Sequence, residues 1–178
     1  HLRSLDSIPE FFSHPEYFSR DEGKAMYRPL LLATFALNHY WSGYETWSYH
    51  LINILLHALA SMVVWLLFIE LRLSVCLALL GGVIFAVHPL VTEPVNYISS
   101  RSESLGALAY LGGFLAYLRW CSAESRARRH AFYVLSLAAY LGGLLSKSVV
   151  FTLPVVLILY ECSIRDHRHR LPWRTLWP

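Results

Sequence analysis

Residues 48–69 read SYHLINILLHALASMVVWLLFI, a run that contains no charged side chain. A helix of this length spans about 33 Å, slightly more than the roughly 30 Å hydrocarbon core of a bilayer. Inside a bilayer the backbone polar groups must be satisfied by the segment itself, and a helix does this. The run therefore predicts a transmembrane helix.

The composition of the whole chain agrees with a membrane protein. Of its 178 residues 56% are hydrophobic and 15% are charged, whereas soluble domains carry about 25% charged residues. The mean hydropathy is +0.41, and the net charge is a small +3. Too little polar surface remains to cover a soluble globule.

Three further apolar stretches follow, at residues 74–87, 105–118 and 132–160. The last is too long for one ordinary span, and Ser146-Lys147-Ser148 interrupts it. Because a lysine at mid-bilayer is costly, we expect two short helices that meet at Lys147 on one membrane face. The predicted fold is all-α, a polytopic helix bundle of about five spans with a short interfacial helix over residues 29–41. Glycine pairs in three spans favour close helix packing: Gly81-Gly82, Gly112-Gly113 and Gly142-Gly143.

The charges divide the chain into three parts. Residues 1–47 form an outward-facing part with short amphipathic and interfacial helices; its first 27 residues are polar and contain the helix-start signature Ser7-Ile8-Pro9-Glu10. Residues 48–164 form the transmembrane bundle, and residues 165–178 form a basic cytoplasmic segment. Arginine-rich loops favour the cytoplasm, and alternating spans place the arginines at 119–129 and 165–174 on the same side. Residues 1–47, the 88–103 loop and Lys147 then face the periplasm of a bacterial inner-membrane protein, or the lumen for an ER membrane protein.

Residues 88–103, HPLVTEPVNYISSRSE, concentrate outward-facing ionisable groups. At membrane depth such groups need a partner or a wet cavity. Glu93 and Arg101 are suited to pair with each other, either as a structural salt bridge or as part of a substrate cavity. His88 and Glu103 are further candidates for contact with an acceptor or for orienting this loop.

His50, Asn53 and His57 share one face of the first full span, because they follow one another at helical spacing. Interhelical hydrogen bonding is the favoured role, and lining of a substrate cavity by Asn53 and His57 is the alternative. No metal site is expected, since the two histidines lie about 10 Å apart along the axis with no carboxylate between them. The cysteines are expected to act as small apolar residues: Cys76, Cys121 and Cys162.

The sequence lacks the motifs that are typical of several other classes of function. A P-loop, a dinucleotide fingerprint and a nucleophile elbow are all absent from it. The arginine clusters at 126–129 and 165–174 lie beside spans, so they indicate topology and contact with anionic lipids rather than nucleic acid.

Four motifs in series resemble a known family. They are YRPLLLATFALN at 27–38, YHLINILLHAL at 49–59, the His88…Glu93…Arg101 loop, and Leu145-Ser146-Lys147 followed by Thr152-Leu153-Pro154. Their order and spacing resemble the membrane half of the transmembrane-and-TPR O-mannosyltransferase-like proteins over nearly the whole chain.

The resemblance implies a glycosyltransferase of the GT-C class. Such an enzyme moves a mannose-like sugar from a polyprenyl-phosphate donor to an acceptor hydroxyl, here on protein Ser or Thr, at the periplasmic or lumenal face. Its catalytic acids are an acidic pair in the first outward loop. Residues resembling the stretch just after that pair, Leu2-Arg3-Ser4-Leu5…Ile8-Pro9, begin this chain. The acids, a first span, C-terminal spans and a TPR array are therefore expected outside it, and no catalytic residue is expected within it.

The donor phosphate needs cations near its developing charge, and Arg28, Arg101 and Lys147 are the outward-facing cations closest to membrane depth. Glu93 would orient one of them or touch the acceptor. Lys147 is also explicable as a snorkelling residue that caps a short helix. The expected partners are the bilayer, the lipid-linked sugar, and a protein acceptor or larger membrane complex, with no nucleic acid; a role for a divalent metal is left open. The alternative function is a non-catalytic scaffold or accessory subunit.

Overall fold

The computed structural model describes residues 5, 8–14 and 27–165, and in these ranges the backbone forms helices and turns without a β-strand. The predicted all-α fold class is confirmed. Residues 1–4, 6–7, 15–26 and 166–178 lie outside the described residues. With them lie the motif Leu2-Arg3-Ser4 and nearly all of the predicted basic segment 165–178.

The described part of the chain contains eight α-helices, and all of them except α1 and α5 follow the predicted apolar runs. They are α1 (Ile8–Ser13), α2 (Pro29–Ser42), α3 (Thr46–Glu70), α4 (Val75–Val87), α5 (Glu93–Asn96), α6 (Arg101–Ser122), α7 (Arg126–Leu144) and α8 (Leu153–Tyr160). Three 3-10 turns connect them, Pro89–Val91, Ile98–Ser100 and Ser148–Thr152, and a π-helical turn, Glu161–Arg165, extends α8.

Local sequence explains where several helices begin and end. Pro29 occupies the first turn of α2, where its missing N–H costs nothing. Gly43 ends that helix at φ +59°, a conformation that residues with a Cβ rarely adopt. Ser74 and Ser125 cap α4 and α7, each accepting a hydrogen bond from a backbone N–H three residues further on, at 3.4 and 3.3 Å. Such caps satisfy amide groups that the first helical turn leaves unpaired.

One described helix, α3, is long and apolar enough to cross a membrane. Only 28% of its most apolar 18-residue window is buried, so the helix presents an apolar face outward, unlike the core helix of a soluble protein. Val75–Val87 joined to Pro89–Asn96 across a 55° bend makes a second candidate span, and Ser148–Ser163 is a shorter apolar helix. The expected total of about five crossings stays a prediction.

Helix α6 is the centre of the bundle, packed against α3 on one side and α7 on the other. Small residues allow close contact among α6, α7 and the segment that follows α7. A Cβ added at Gly143 would lie 2.7 Å from Val150 Cγ1 and 3.0 Å from Ala109 Cβ. One added at Gly113 would lie 3.0 Å from Leu153 Cδ2. The predicted close packing at the glycine pairs is therefore confirmed at these two positions.

The chain breaks at Ser146-Lys147-Ser148, as predicted. Helix α7 ends at Leu144, and Lys147 has extended backbone, with φ −158° and ψ 133°. Beyond the break the chain runs back along α6, because Lys147 contacts Gly106 and Leu153 lies against Gly113 one to two turns further on. The long apolar run therefore forms two antiparallel segments, α7 and α8.

The buried guanidinium of Arg101 links three helices at one end of the bundle. Arg101 is 0% exposed. Its Nε donates to Asn53 Oδ1 on α3 at 2.9 Å, and its Nη2 donates to Asn38 Oδ1 on α2 at 2.7 Å. Weaker bonds of 3.3 Å reach the carbonyl oxygens of Thr34 and Tyr49. Because α6 begins at this residue, the network fixes its start against α2 and α3.

The predicted ion pair between Arg101 and Glu93 does not form among the described residues, and that prediction is wrong. Arg101 points inward between α2 and α3, with its guanidinium carbon 4.4 Å from the ring centre of Phe35 and 5.6 Å from that of Tyr49. Glu93 lies at the start of α5 and is exposed. Neutral amide oxygens and aromatic faces take the place of the carboxylate.

We expect Arg101→Lys to lower the free energy of unfolding by roughly 2–4 kcal/mol. An ammonium cannot serve both amide oxygens in the geometry of the guanidinium fork, and charge-assisted hydrogen bonds contribute about 1.5–3 kcal/mol each. Denaturant unfolding of the purified full-length protein measures the change. Arg128→Lys, at an exposed position in the first turn of α7, is the matched control and should have little effect.

We expect Gly143→Ala to destabilise the protein by about 1–3 kcal/mol, since its methyl group would meet Val150 and Ala109. Gly112→Ala is the control, because a Cβ there meets no atom within 4 Å. It should stabilise α6 by roughly 0.5–1 kcal/mol through helix propensity. Equal melting temperatures for the two variants would contradict the tight α6–α7 contact.

Candidate functional site at one end of the bundle

Two of the predicted cationic residues, Arg28 and Lys147, meet at the first turns of α6. Arg28 Nη1 donates to Ser102 Oγ at 3.0 Å. Lys147 packs its aliphatic stem on Gly106, where an added Cβ would lie 3.0 Å from Lys147 Cβ. The two segments are also joined directly, because the Leu30 N–H donates to the Leu145 carbonyl at 3.2 Å. Residues 119 positions apart in the sequence therefore share one surface.

The ammonium of Lys147 forms an ion pair with the carboxylate of Glu103. The lysine side chain is 21% exposed and the glutamate side chain 45%, so both remain within reach of a ligand. Burial lowers the pKa of Lys147, and the nearby positive charge of Arg28 lowers it further. Glu103 opposes both effects by stabilising the charged ammonium.

Arg101, the third predicted cationic residue, lies beneath this surface rather than on it. Its guanidinium is fully buried, and each of its nitrogens donates to a protein oxygen. The structure thus brings Arg28 and Lys147 together at an accessible position and keeps Arg101 in the interior. A phosphate at the surface would be attracted by the positive charge of Arg101 without contacting its side chain.

A cavity of about 230 Å³ lies next to Glu103, between the 88–96 loop and helices α3 and α6. Its polar lining residues are His57, Glu93, Glu103 and Ser104, and Phe85 and Leu90 are among the apolar ones. Glu103 therefore belongs to both places, since it pairs with Lys147 and lines the cavity. Among the described residues no group of three or more His, Cys, Asp or Glu side chains is placed to hold a metal ion.

The polar face of α3 makes interhelical hydrogen bonds, as predicted. His57 Nε2 lies 3.1 Å from the Ala86 carbonyl, and Asn53 Nδ2 donates to the Tyr97 carbonyl at 3.2 Å. Asn53 is fully buried, whereas His57 also reaches the cavity wall. His88 is exposed, and its Nδ1 accepts a hydrogen bond from the Leu90 N–H at 3.2 Å. That bond shapes the start of the loop.

The sequence reasoning missed Asn38, Ser102 and Ser104. Asn38 was noticed as part of a motif but was given no role, although an amide within an apolar run signals a buried partner. Ser102 and Ser104 alternate with Arg101 and Glu103, and this polar start to an apolar helix was a signal that went unused. Ser104 is 2% exposed, and its Oγ has no hydrogen-bond partner in the part of the chain that the structure describes.

Comparison with known proteins gives a consistent family. The human protein O-mannosyl-transferase TMTC3 is 38% identical over 113 residues, which are 62% of this chain and 12% of that protein. The mouse and human protein O-mannosyl-transferases TMTC2 are 31% and 32% identical over 153 and 161 residues, in each case 85% of this chain and 18% of the relative. No family profile and no solved structure matches the chain.

These relatives confirm the family resemblance drawn from the four motifs. The chain spans only 12–18% of the length of the relatives just named, so it matches one segment of each of them. Over that segment, the chain belongs to the TMTC family, whose members are named protein O-mannosyl-transferases.

Proposed function

We propose that this chain is part of an integral-membrane glycosyltransferase. The enzyme transfers a mannose-like sugar from a polyprenyl-phosphate donor to an acceptor hydroxyl on protein Ser or Thr, at the periplasmic or lumenal face. The names of the relatives support glycosyl transfer. The observation that carries the donor assignment is the pairing of Arg28 and Lys147 on one surface.

Several sources of positive potential coincide at this surface. Arg28 and Lys147 lie on it, the buried charge of Arg101 lies below it, and α6 begins there with its positive dipole end. Like charges repel strongly where water is scarce. The carboxylate of Glu103 forms an ion pair with one of these cations, Lys147. A phosphate at this surface would form strong charge-assisted contacts with the cations.

Arg101 serves this site as a positioning residue. It holds α2 and α3 against the first turn of α6, and the next residue, Ser102, accepts the hydrogen bond from Arg28. Glu93 and His88 belong to the loop that covers the neighbouring cavity, where they orient the loop or meet the acceptor. The proposal assigns no catalytic base among the described residues.

A membrane scaffold is the second candidate function. It is favoured by the way the protein already satisfies its cations, since Arg101 binds amide oxygens and Lys147 binds Glu103. An Asp-Asp or Asp-Glu pair in the residues preceding residue 1 of the full-length protein supports the enzyme, and its absence supports the scaffold.

The proposed topology has about five crossings, formed by α3, α4 with its bent continuation, α6, α7 and α8. The α6–α7 connection, which carries Arg126, Arg128 and Arg129, lies in the cytoplasm under the positive-inside rule. The 88–103 segment and Lys147 then lie on the outer side with the candidate site.

Cysteine labelling tests this orientation. In full-length protein lacking Cys76, Cys121 and Cys162, a membrane-impermeant maleimide applied from the outer side should label Ser99→Cys and leave Glu124→Cys unlabelled. Both positions are exposed in the described structure. The reverse labelling pattern would overturn the orientation and the outward-facing site.

Charge deletion tests the donor site. We expect Lys147→Met and Arg28→Met each to lower transfer from a polyprenyl-phosphate sugar by roughly 10- to 100-fold, because each removes a charge-assisted contact of about 1.5–3 kcal/mol. Transfer by full-length protein in native-like membranes is measured with a radiolabelled sugar. Met keeps most of the lysine stem, so the packing on Gly106 should survive.

The matched control is Arg126→Met, an exposed cation at the other end of α7, and it should leave transfer unchanged. Membrane insertion and melting temperature establish that all three variants fold. If the Lys147 and Arg28 variants transfer sugar as fast as the parent protein, the donor site is wrong and the scaffold is favoured.

A further inference from the structure

We infer that the cavity between the 88–96 loop and helices α3 and α6 binds the sugar ring of the donor. The inference rests on the proposed function and extends it, because the donor phosphate at Lys147 and this cavity are assigned to the two halves of one ligand. The argument starts from Ser104.

Ser104 is one of the residues that line the cavity, and its buried Oγ lacks a partner among the described residues. Serine in a helix usually donates to a carbonyl one turn back, as Ser61, Ser122 and Ser146 do here at 2.8–3.1 Å. Buried polar groups are almost always hydrogen-bonded, and leaving one unpaired is costly. An unpaired hydroxyl in a cavity wall indicates a ligand that supplies the partner.

The charge of the cavity decides which part of the donor it takes. Two carboxylates, Glu93 and Glu103, line it, and no Lys or Arg does in the part of the chain that the structure describes. Carboxylates repel a phosphate and accept hydrogen bonds from neutral hydroxyl groups. The cavity therefore suits the hydroxyl-rich ring, whereas the phosphate remains outside at the cations.

The apolar part of the cavity lining suits the C–H faces of a sugar ring, which are themselves apolar. Phe85, Leu90, Val91 and Pro94 contribute to the wall. The imidazole of His57 stacks on Phe85 with ring centres 5.5 Å apart and planes 23° apart, so the two rings hold each other in place. Flat aromatic surfaces pack well against the C–H face of a pyranose, and the carboxylates and Ser104 are left for its hydroxyls.

The size and the position of the cavity agree with binding of a single sugar ring. The cavity volume of about 230 Å³ falls below the roughly 300–1,000 Å³ of sites for drug-sized ligands, so a long oligosaccharide does not fit. Glu103 connects this cavity to Lys147 through its ion pair. A sugar in the cavity and its phosphate at Lys147 would thus lie within one side chain of each other.

The experiment compares two lipids on the full-length protein in nanodiscs: polyprenyl phosphate carrying mannose, and the same polyprenyl phosphate without the sugar. The parent protein should bind the mannosyl lipid at least tenfold more tightly. Ser104→Ala and Glu93→Gln should each reduce that preference three- to tenfold and leave affinity for the sugar-free lipid unchanged. Ala107→Leu, which fills the cavity from α6, should abolish the preference.

Ser99→Ala and Glu124→Gln are the matched controls, at exposed positions outside the cavity lining, and should keep the full preference. Ser104→Ala should also melt at the same temperature as the parent or higher, because it removes an unpaired buried hydroxyl. If Ala107→Leu fails to fold, the Ser104 and Glu93 variants still decide the question.

The experiment distinguishes a failure of the sugar-cavity hypothesis from a failure of the proposed function. Equal binding of both lipids by the parent protein, or a sugar preference that Ser104→Ala and Glu93→Gln leave intact, overturns the sugar cavity and leaves the phosphate site standing. Failure of the parent protein to bind either lipid overturns the proposed function, and the sugar cavity with it.

Discussion

The buried guanidinium of Arg101 is the interaction on which this end of the bundle depends. A fully buried cation is unfavourable unless its donors find acceptors, and here amide and carbonyl oxygens from α2 and α3 accept four hydrogen bonds from the three guanidinium nitrogens. None of these acceptors is charged, so the network orients three helices without neutralising the cation. The same feature that fixes the start of α6 therefore leaves a positive charge beneath the surface.

This arrangement couples the fold to the candidate site. Ser102 follows Arg101 on α6 and accepts the hydrogen bond from Arg28, so moving the start of the helix would move Arg28 as well. Lys147 depends on the other side of α6, where Gly106 leaves room for its stem. Stability and ligand binding at this surface are thus set by overlapping residues, and a substitution at Arg101 should change both.

The sequence predicted the helices better than it predicted the contacts between them. Apolar runs, capping residues and the cost of a buried lysine depend on nearby residues, so α3, α4 and the break at Lys147 could be found. The partners of Arg101 lie 48 to 67 residues away from it, and apolar periodicity does not specify which amides will meet a cation. A carboxylate is the usual partner of a buried arginine, and on that basis the sequence predicts the wrong pair with Glu93. Ser104 was missed for a related reason, since the absence of a partner is visible only in three dimensions.

On the proposed assignments, Glu103 has to exchange partners when the donor binds. Without a ligand its carboxylate pairs with Lys147, at the edge of the cavity. A phosphate that takes over Lys147 leaves the Glu103 carboxylate without its counter-ion in a partly dehydrated place, which is unfavourable. Hydroxyl groups of a sugar in the cavity would relieve that cost by donating hydrogen bonds to the freed oxygens. Inorganic phosphate and a neutral sugar each meet only half of this requirement, so the ion pair between Glu103 and Lys147 favours a ligand in which a phosphate and a sugar are joined.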